Sequence, residues 1–310
     1  MRDAVRVSAS RSRGTELAID AAVRFVAVGD VMVDVVCPEP PASSTRIHGD
    51  VVIHAGGSAV NAAVAAAAAG AAATVIGRVG GDHAGDLVAA EIAELGVEAH
   101  LTRDEDLATG VAVALDGDAR VRVVANRGAN SRLKPGDIPD AVEGDALFVS
   151  GFALFQTGSA EAAQAALRRF GGAWAGVDVG SPSLAAKAAD ADIRVAAGRG
   201  TVLLATADEA GAMTGAAPEE AARRLAAQFS VACVKLGRDG AVAASGDRLE
   251  RRAAEPVVRR SPFGAGDAFG AMLLVALAAG ADLGRALELA CAAGARSASG
   301  APRNAASGAA

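Results

Sequence analysis

The sequence predicts an α/β protein: a doubly wound, mainly parallel β-sheet flanked by helices, with a second, smaller β-sheet set apart from it. Three observations carry this. Short apolar, β-branched runs alternate with alanine-rich helical stretches over 74–95 and again over 146–236, the pattern of strands covered on both faces by helices. Between these regions, 97–102, 110–115 and 119–125 read as strands with no helix among them, which calls for a separate sheet. Two glycine-rich turns, Gly56-Gly57 and Gly264-Ala265-Gly266, each open a helix and leave backbone N–H groups accessible to a ligand.

The bulk properties narrow the function. The chain has 310 residues, 3% aromatics, no tyrosine and a net charge of −6, enough for one large α/β domain whose core packs small side chains. No long basic run is present, which excludes a nucleic-acid partner of the usual kind. Cys37, Cys233 and Cys291 are isolated and odd in number, indicating neither a disulfide framework nor a zinc site and fitting a reducing cytoplasm. Residues 1–23 lack a signal-peptide apolar core, and the alanine-rich run at 62–73 is too short to span a bilayer.

Taken in order, 1–23 reads as a loose extension. Residues 24–37 are nearly continuous apolar and β-branched and predict one buried parallel strand. Asp30 suits a strand-end turn, while Asp34 reads as a ligand contact, because a buried carboxylate is costly unless it is paired. Residues 46–54 alternate as a half-exposed strand. Asn61 lies in the first turns of the following helix, placed either to bond a ligand hydroxyl or to satisfy local backbone. A strand at 74–79, a helix at 86–95 with Gly96 as its cap, and the helix-free strands follow. Asp116-Gly117-Asp118 marks a hairpin between the last two. His83 reads as a surface loop residue. From 145 the alternation resumes: strands at 146–150, 175–179, 201–205, 231–236 and 240–244, helices at 160–170, 208–214, 218–229 and 284–297, and a hairpin turn at Gly237-Arg238-Asp239-Gly240.

The most informative stretch is Gly264-Ala265-Gly266-Asp267, followed by the apolar run 268–279. The turn presents N–H groups at the positive end of a buried helix, a ready anion site. Asp267 is either an N-capping residue or a base beside that site, placed to activate a hydroxyl against a phosphoryl group.

Several stretches together resemble the PfkB, or ribokinase-like, family of carbohydrate kinases. Gly56-Gly57-Ser58-Ala59-Val60-Asn61 is similar to the family's amino-terminal signature, and Gly264-Ala265-Gly266-Asp267-Ala268-Phe269 to its carboxy-terminal one, in the right order and at the right distance. Val28-Gly29-Asp30 through Asp34, Val149-Ser150-Gly151, Thr206-Ala207-Asp208-Glu209-Ala210 and Lys235-Leu236-Gly237 resemble further landmarks, so the resemblance runs over 25–301. It implies a ribokinase-like domain at 24–301, with β-lid segments near 38–56 and 98–127 and a tail at 302–310. It also implies ATP-dependent phosphorylation of a hydroxyl on a small sugar or sugar-like molecule. Asp267 is then the catalytic base, and the amides of Gly264, Ala265 and Gly266 form the anion hole. Asp34, Gly57 and Asn61 hold the acceptor. Thr206, Lys235, Gly237 and Gly240 lie on the nucleotide side, and Glu209 organises Mg2+. The implied partners are small molecules, with no nucleic acid or membrane, and a homodimer through the lid as relatives often form.

Three positions depart from the family pattern. Thr206 stands where the family's magnesium motif has Asn, Ser261 where it usually has Asp, and Phe263 where it usually has Thr. The last two remove side chains from the family's monovalent-cation site, so K+ activation is expected to be weak or absent. Two other functions fit the sequence: a nucleoside kinase of the same fold, with Phe152 and Phe155 available to stack on a base, and a sugar- or nucleotide-binding protein with a decayed kinase site.

Overall fold

The first apolar run does not make one strand. In the computed structural model, which describes residues 22–40, 43, 46, 48–117, 121–190, 200–258, 263–300 and 303, it divides into β1 (Arg24–Val28) and β2 (Met32–Pro38). β1 is an inner strand of the main sheet and β2 belongs to the small one. Gly29 and Asp30 mark the break, and residues far along the chain hold it. A Cβ on Gly29 would come within 2.6 Å of the Ser150 Cβ. The buried Asp30 carboxylate pairs with Arg127 at 2.6 Å. Asn130 bonds both the N–H and the C=O of Val31, at 2.8 and 2.9 Å.

β3 (Val52–Gly56), α1 (Ser58–Ala68), β4 (Ala72–Gly80), α2 (His83–Glu94) and β5 (Glu98–Asp104) follow. β5 corrects the expectation for 97–102: it pairs in parallel with β4 at the edge of the main sheet. α2 is the crossover between them, so these three elements form an ordinary β-α-β unit, and the helix-free stretch begins only afterwards. β6 (Gly110–Asp116) and β7 (Val121–Asn126) complete a four-stranded sheet in the order β3-β2-β6-β7. The small sheet is therefore built from 32–38, 52–56, 110–116 and 121–126, while 98–104 belongs to the main sheet. Paired residues share a face. Asp34 thus lies in a row with His54, Ala112 and Ala125, next to a row of Val52, Val36, Ala114 and Val123. Val52, Ile53, Val123 and Val124 leave apolar surface exposed on the small sheet.

The second half contains β8 (Ala146–Ser150), α3 (Gly151–Leu154), α4 (Ala160–Arg169), β9 (Trp174–Asp178), α5 (Pro182–Asp190), β10 (Gly200–Thr206), α6 (Ala207–Thr214), α7 (Pro218–Ala226), β11 (Val231–Lys235), β12 (Ala241–Ser245), β13 (Arg248–Arg252), α8 (Ala265–Ala278) and α9 (Leu283–Ala298). The main sheet has nine strands in the order β13-β12-β11-β10-β9-β8-β1-β4-β5, parallel from β11 to β5 with an antiparallel edge at β12 and β13. Alternate residues of each strand feed opposite layers. Phe25 and Ala27 face α1, α2, α8 and α9; Val26 and Val28 face the layer that includes α4, α5 and α7. Small residues let the helices come close. A Cβ on Gly176 would reach 2.7 Å from Leu274, and one on Gly270 would reach 2.8 Å from Leu204, so α8 lies directly on the sheet. Trp174, at the start of β9, packs on Gly200, where a Cβ would sit 2.3 Å from its ring. Among the described residues no helix is long and apolar enough to cross a membrane.

Candidate active site

The order of the parallel strands turns at β1, with β4 on one side and β8 on the other. In open α/β sheets a crevice forms outside the carboxyl ends of the strands at such a point. Ser150, Asp178, Thr206 and Lys235 are the last residues of β8, β9, β10 and β11, so the fold brings them to one edge. α1 and α8 start at that same edge: the Ser58 hydroxyl donates to that of Ser150 at 2.6 Å, and Asn61 of α1 reaches Asp267 of α8.

α8 begins with Gly264 as its N-cap, in the left-handed region at φ 79°, and no side chain caps it. The first N–H groups of a helix have no intrahelical partner, so the amides here are open to an anion. A Cβ on Gly266 would lie 3.3 Å from the Lys235 ammonium, which puts a cation beside the same space. The Lys235 ammonium in turn donates to Asp178 at 2.5 Å. Asp267, in the first turn, accepts a hydrogen bond from the Asn61 amide at 3.1 Å.

On the small-sheet side, Asp34 is fully buried. One carboxylate oxygen accepts the Gly57 N–H at 3.2 Å; the other has no hydrogen-bond partner. Leaving a buried carboxylate oxygen unpaired is costly, and a ligand hydroxyl is the natural donor to fill it. Gly56 and Gly57 make room for this arrangement. A Cβ on Gly56 would fall 1.9 Å from Asp34, and Gly57, at φ 87°, presses on the Asp30 carbonyl.

The charges are strongly coupled. Burial, then the negative charge of Asp178, pushes Asp267 up to about 8 against the Asn61 hydrogen bond and the Lys235 ammonium. Burial also raises Asp34 to about 6, opposed by the Gly57 N–H and by Arg303. Glu209 is raised by burial and by Asp178. Burial would pull Lys235 down, but the carboxylates of Asp178, Glu209 and Asp267 hold it above its usual value. Once ionised, a carboxylate with its proton affinity raised in this way is a stronger base than an ordinary one.

The structure gathers Asp34, Gly57, Asn61, Thr206, Glu209, Lys235, Gly264, Ala265, Gly266 and Asp267 along one edge. Thr206 and Glu209 form a reciprocal cap on α6: Glu209 accepts the Thr206 N–H at 2.8 Å and donates its own N–H to the Thr206 hydroxyl at 3.3 Å. Gly237, at φ 62°, has open space around it, whereas Gly240 backs onto the Arg252 carbonyl of β13. Ser261 lies outside the described residues. Phe155 is buried in the core, and Phe152 packs on Gly180. Sequence reasoning missed Asp178, although a carboxylate closing a parallel strand is a usable signal. It also missed Arg303, which reaches Asn61 from the stretch expected to be a tail.

Comparison with known proteins bears on this site. The chain matches the pfkB family carbohydrate kinase family over residues 23–301. Comparison with curated proteins returned no match. Among solved structures it is similar to adenosine kinase from Sinorhizobium meliloti, with 21% identity, 88% of this chain and 93% of that one covered, and a TM-score of 0.74. It is also similar to an E. coli protein assigned as a ribokinase II and solved with ATP and Mg2+, at 20% identity, 89% and 93% coverage, and TM-score 0.76. A third is aminoimidazole riboside kinase from Salmonella enterica, complexed with aminoimidazole riboside and an ATP analogue, at 24% identity, 89% and 93% coverage, and TM-score 0.71. The likeness to these structures is one of fold; the match over nearly the whole chain establishes that the protein belongs to the pfkB family of carbohydrate kinases.

Proposed function

We propose that this protein transfers the γ-phosphoryl group of ATP to a hydroxyl of a small sugar or sugar-like acceptor, with Asp267 as the base. The observation that carries this is Asp267 itself: a carboxylate raised to about 8, beside the uncapped amides of its own helix. Asp34, with its unpartnered oxygen, and Asn61 orient the acceptor. Asp267 takes the hydroxyl proton as the oxygen attacks the phosphorus in line. The amides of Gly264, Ala265 and Gly266, with Lys235 beside them, hold the charge that spreads over the transferring group. Most of the acceleration then comes from positioning and charge stabilisation. The small sheet, carrying Asp34, keeps water away from the reacting group.

Among the described residues no cluster of three or more His, Cys, Asp or Glu side chains is arranged to hold a metal ion. Magnesium in such sites keeps several waters and takes one or two carboxylates beside phosphate oxygens, and the coupled carboxylates of Glu209 and Asp178 fit that donor set. The ion supplies charge neutralisation on the phosphates. Glu209→Gln is a sharp test, because glutamine preserves the cap on α6 and removes only the charge. Turnover is expected to slow, or to need more magnesium, with thermal stability unchanged. An unaltered magnesium titration would leave Glu209 with the cap alone.

The sugar reading is favoured over a nucleoside by Phe155, which is committed to the core and unavailable to stack on a base. Turnover against pentoses, hexoses, sugar phosphates and nucleosides tests both readings. Sugar-stimulated ADP release is the expected result. Nucleoside-only turnover would move the assignment to a nucleoside kinase, and binding without turnover to a sensor with a decayed site.

A further inference from the structure

The chain returns to the acceptor side of the site after its last helix. α9 ends at Ala298, and Arg303 reaches three elements at once. One guanidinium nitrogen donates to the Asn61 side-chain oxygen at 3.0 Å. The other donates to the Ala55 carbonyl and lies 2.7 Å from His54 Nδ1, both on β3. Glu91 of α2 stands 3.8 Å from the guanidinium, and its second oxygen accepts the Ala55 N–H at 2.6 Å. Arginine can only donate; His54 Nδ1 lies between that donor and the Ala55 carbonyl, 2.9 Å away, and its tautomer follows whichever of the two it bonds. Burial and the Arg303 charge hold His54 below its usual value, against the Ala55 hydrogen bond and the Glu91 charge.

The same one-way chemistry decides the Asn61 amide. An asparagine side chain can present either its oxygen or its NH2 group to a neighbour, and the surrounding network settles which. A protonated Asp267 could donate to a flipped Asn61 oxygen, which would favour the protonated acid. The guanidinium removes that alternative: it claims the oxygen and leaves the NH2 group 3.1 Å from the Asp267 carboxylate, as an acceptor-only anion requires. We propose that Arg303 is a positioning residue, which fixes the Asn61 amide so that its NH2 group donates to Asp267 and aims that carboxylate, while tying β3 of the small sheet to α1 and α2. This rests on the kinase reading above.

The charged groups around Asp267 are Asp178 from β9, Lys235 from β11, Asp34 from β2 and Arg303, with Glu209 of α6 acting on Lys235. Two variants of the full chain separate the roles of Arg303. Arg303→Met removes both the charge and the fork; Arg303→Lys keeps the charge, but one ammonium cannot serve β3 and Asn61 together as the planar fork does. The first measurement is the carboxyl-carbon NMR titration of Asp267 without ligands, its signal identified by its loss in Asp267→Asn. Arg303→Met is expected to raise the proton affinity of Asp267 by ~3–10-fold, and Arg303→Lys, which keeps the charge but not the fork, to recover only part of that change. The second is turnover on the best acceptor, where both variants are expected to lose ~10–100-fold in kcat with a smaller change in KM and unchanged ATP affinity. An unmoved Asp267 titration in Arg303→Met, or native kcat in both variants, overturns the inference. If Arg303→Met does not fold, Arg303→Lys decides by its kcat alone. Absence of turnover in the native protein counts against the kinase reading, and the NMR titration still decides the role of Arg303.

Discussion

Asp267→Asn is expected to lower turnover by ~10²–10⁴-fold, the usual contribution of a general base, with the fold intact. The argument for an intact fold is local. The N-cap of α8 is Gly264, so no helix cap is lost. The new amide is nearly the size of the carboxylate and its oxygen can still accept from Asn61, which now donates at 3.1 Å. What disappears is the ability to take the hydroxyl proton. Removing a negative charge from beside the phosphate space should leave nucleotide affinity equal or higher. Stability should shift in a defined direction. The folded protein raises Asp267 to about 8 from an ordinary 3.8, so it binds this proton more tightly than the unfolded chain. The native protein therefore loses stability from this group as pH rises between those values, and Asp267→Asn should flatten that part of the profile. Native-level sugar phosphorylation by the variant, or its failure to fold, would make the carboxylate structural and end the proposed mechanism.

Gly266→Val is the second large effect, expected to weaken both nucleotide binding and turnover by ~10²–10³-fold, the scale of losing an oxyanion-type donor. Gly266 is not in the left-handed region, and valine suits a helix better than glycine does, so the backbone accepts the change. The obstruction is in the site. The first added carbon already comes to 3.3 Å from the Lys235 ammonium, and two further methyl groups must enter the anion space or push Lys235 off Asp178. Gly264 would be a poorer choice: at φ 79° any side chain strains the backbone and presses on Asn61, mixing stability with binding. Calorimetric titration with ADP, alongside kcat/KM and a melting curve, separates the two. Native affinity in the valine variant would show that the amides of α8 do not hold the phosphate.

What could be read in advance depended on the range of the interactions involved. Gly264 to Asp267 were legible because turn, helix start and carboxylate are contiguous. Asn61 was legible for the same reason at α1, and Lys235 and Thr206 because they close apolar runs. The Asp178–Lys235 pair was not, since it exists only once β10 has been laid between β9 and β11. Arg303 lies 242 positions from Asn61, and nothing in its neighbourhood reports that contact. The β1–β2 break falls at Gly29 and Asp30, the latter read as a strand-end turn, but the apolar run resumes at once and the partners that fix the break, Arg127, Asn130 and Ser150, all come from later in the chain. β13 escaped because its sequence is mostly charged. As an edge strand it needs only backbone pairing with β12 and can keep charges toward water, among them Arg251, which pairs with Glu219.

The placement of Trp174 has a practical consequence. It is the only tryptophan, and the chain contains no tyrosine. It opens β9, whose other end is Asp178, so a strand length of roughly 13 Å separates the fluorophore from the site. Intrinsic emission therefore arises from one indole on the opposite rim of the sheet. Its intensity is expected to follow the loss of the β9–β10 contact with Gly200 when the sheet melts, and to change little when nucleotide or acceptor enters the crevice. Binding is then better followed by heat or by a labelled nucleotide, and the unfolding transition by this single optical reporter at the far end of β9.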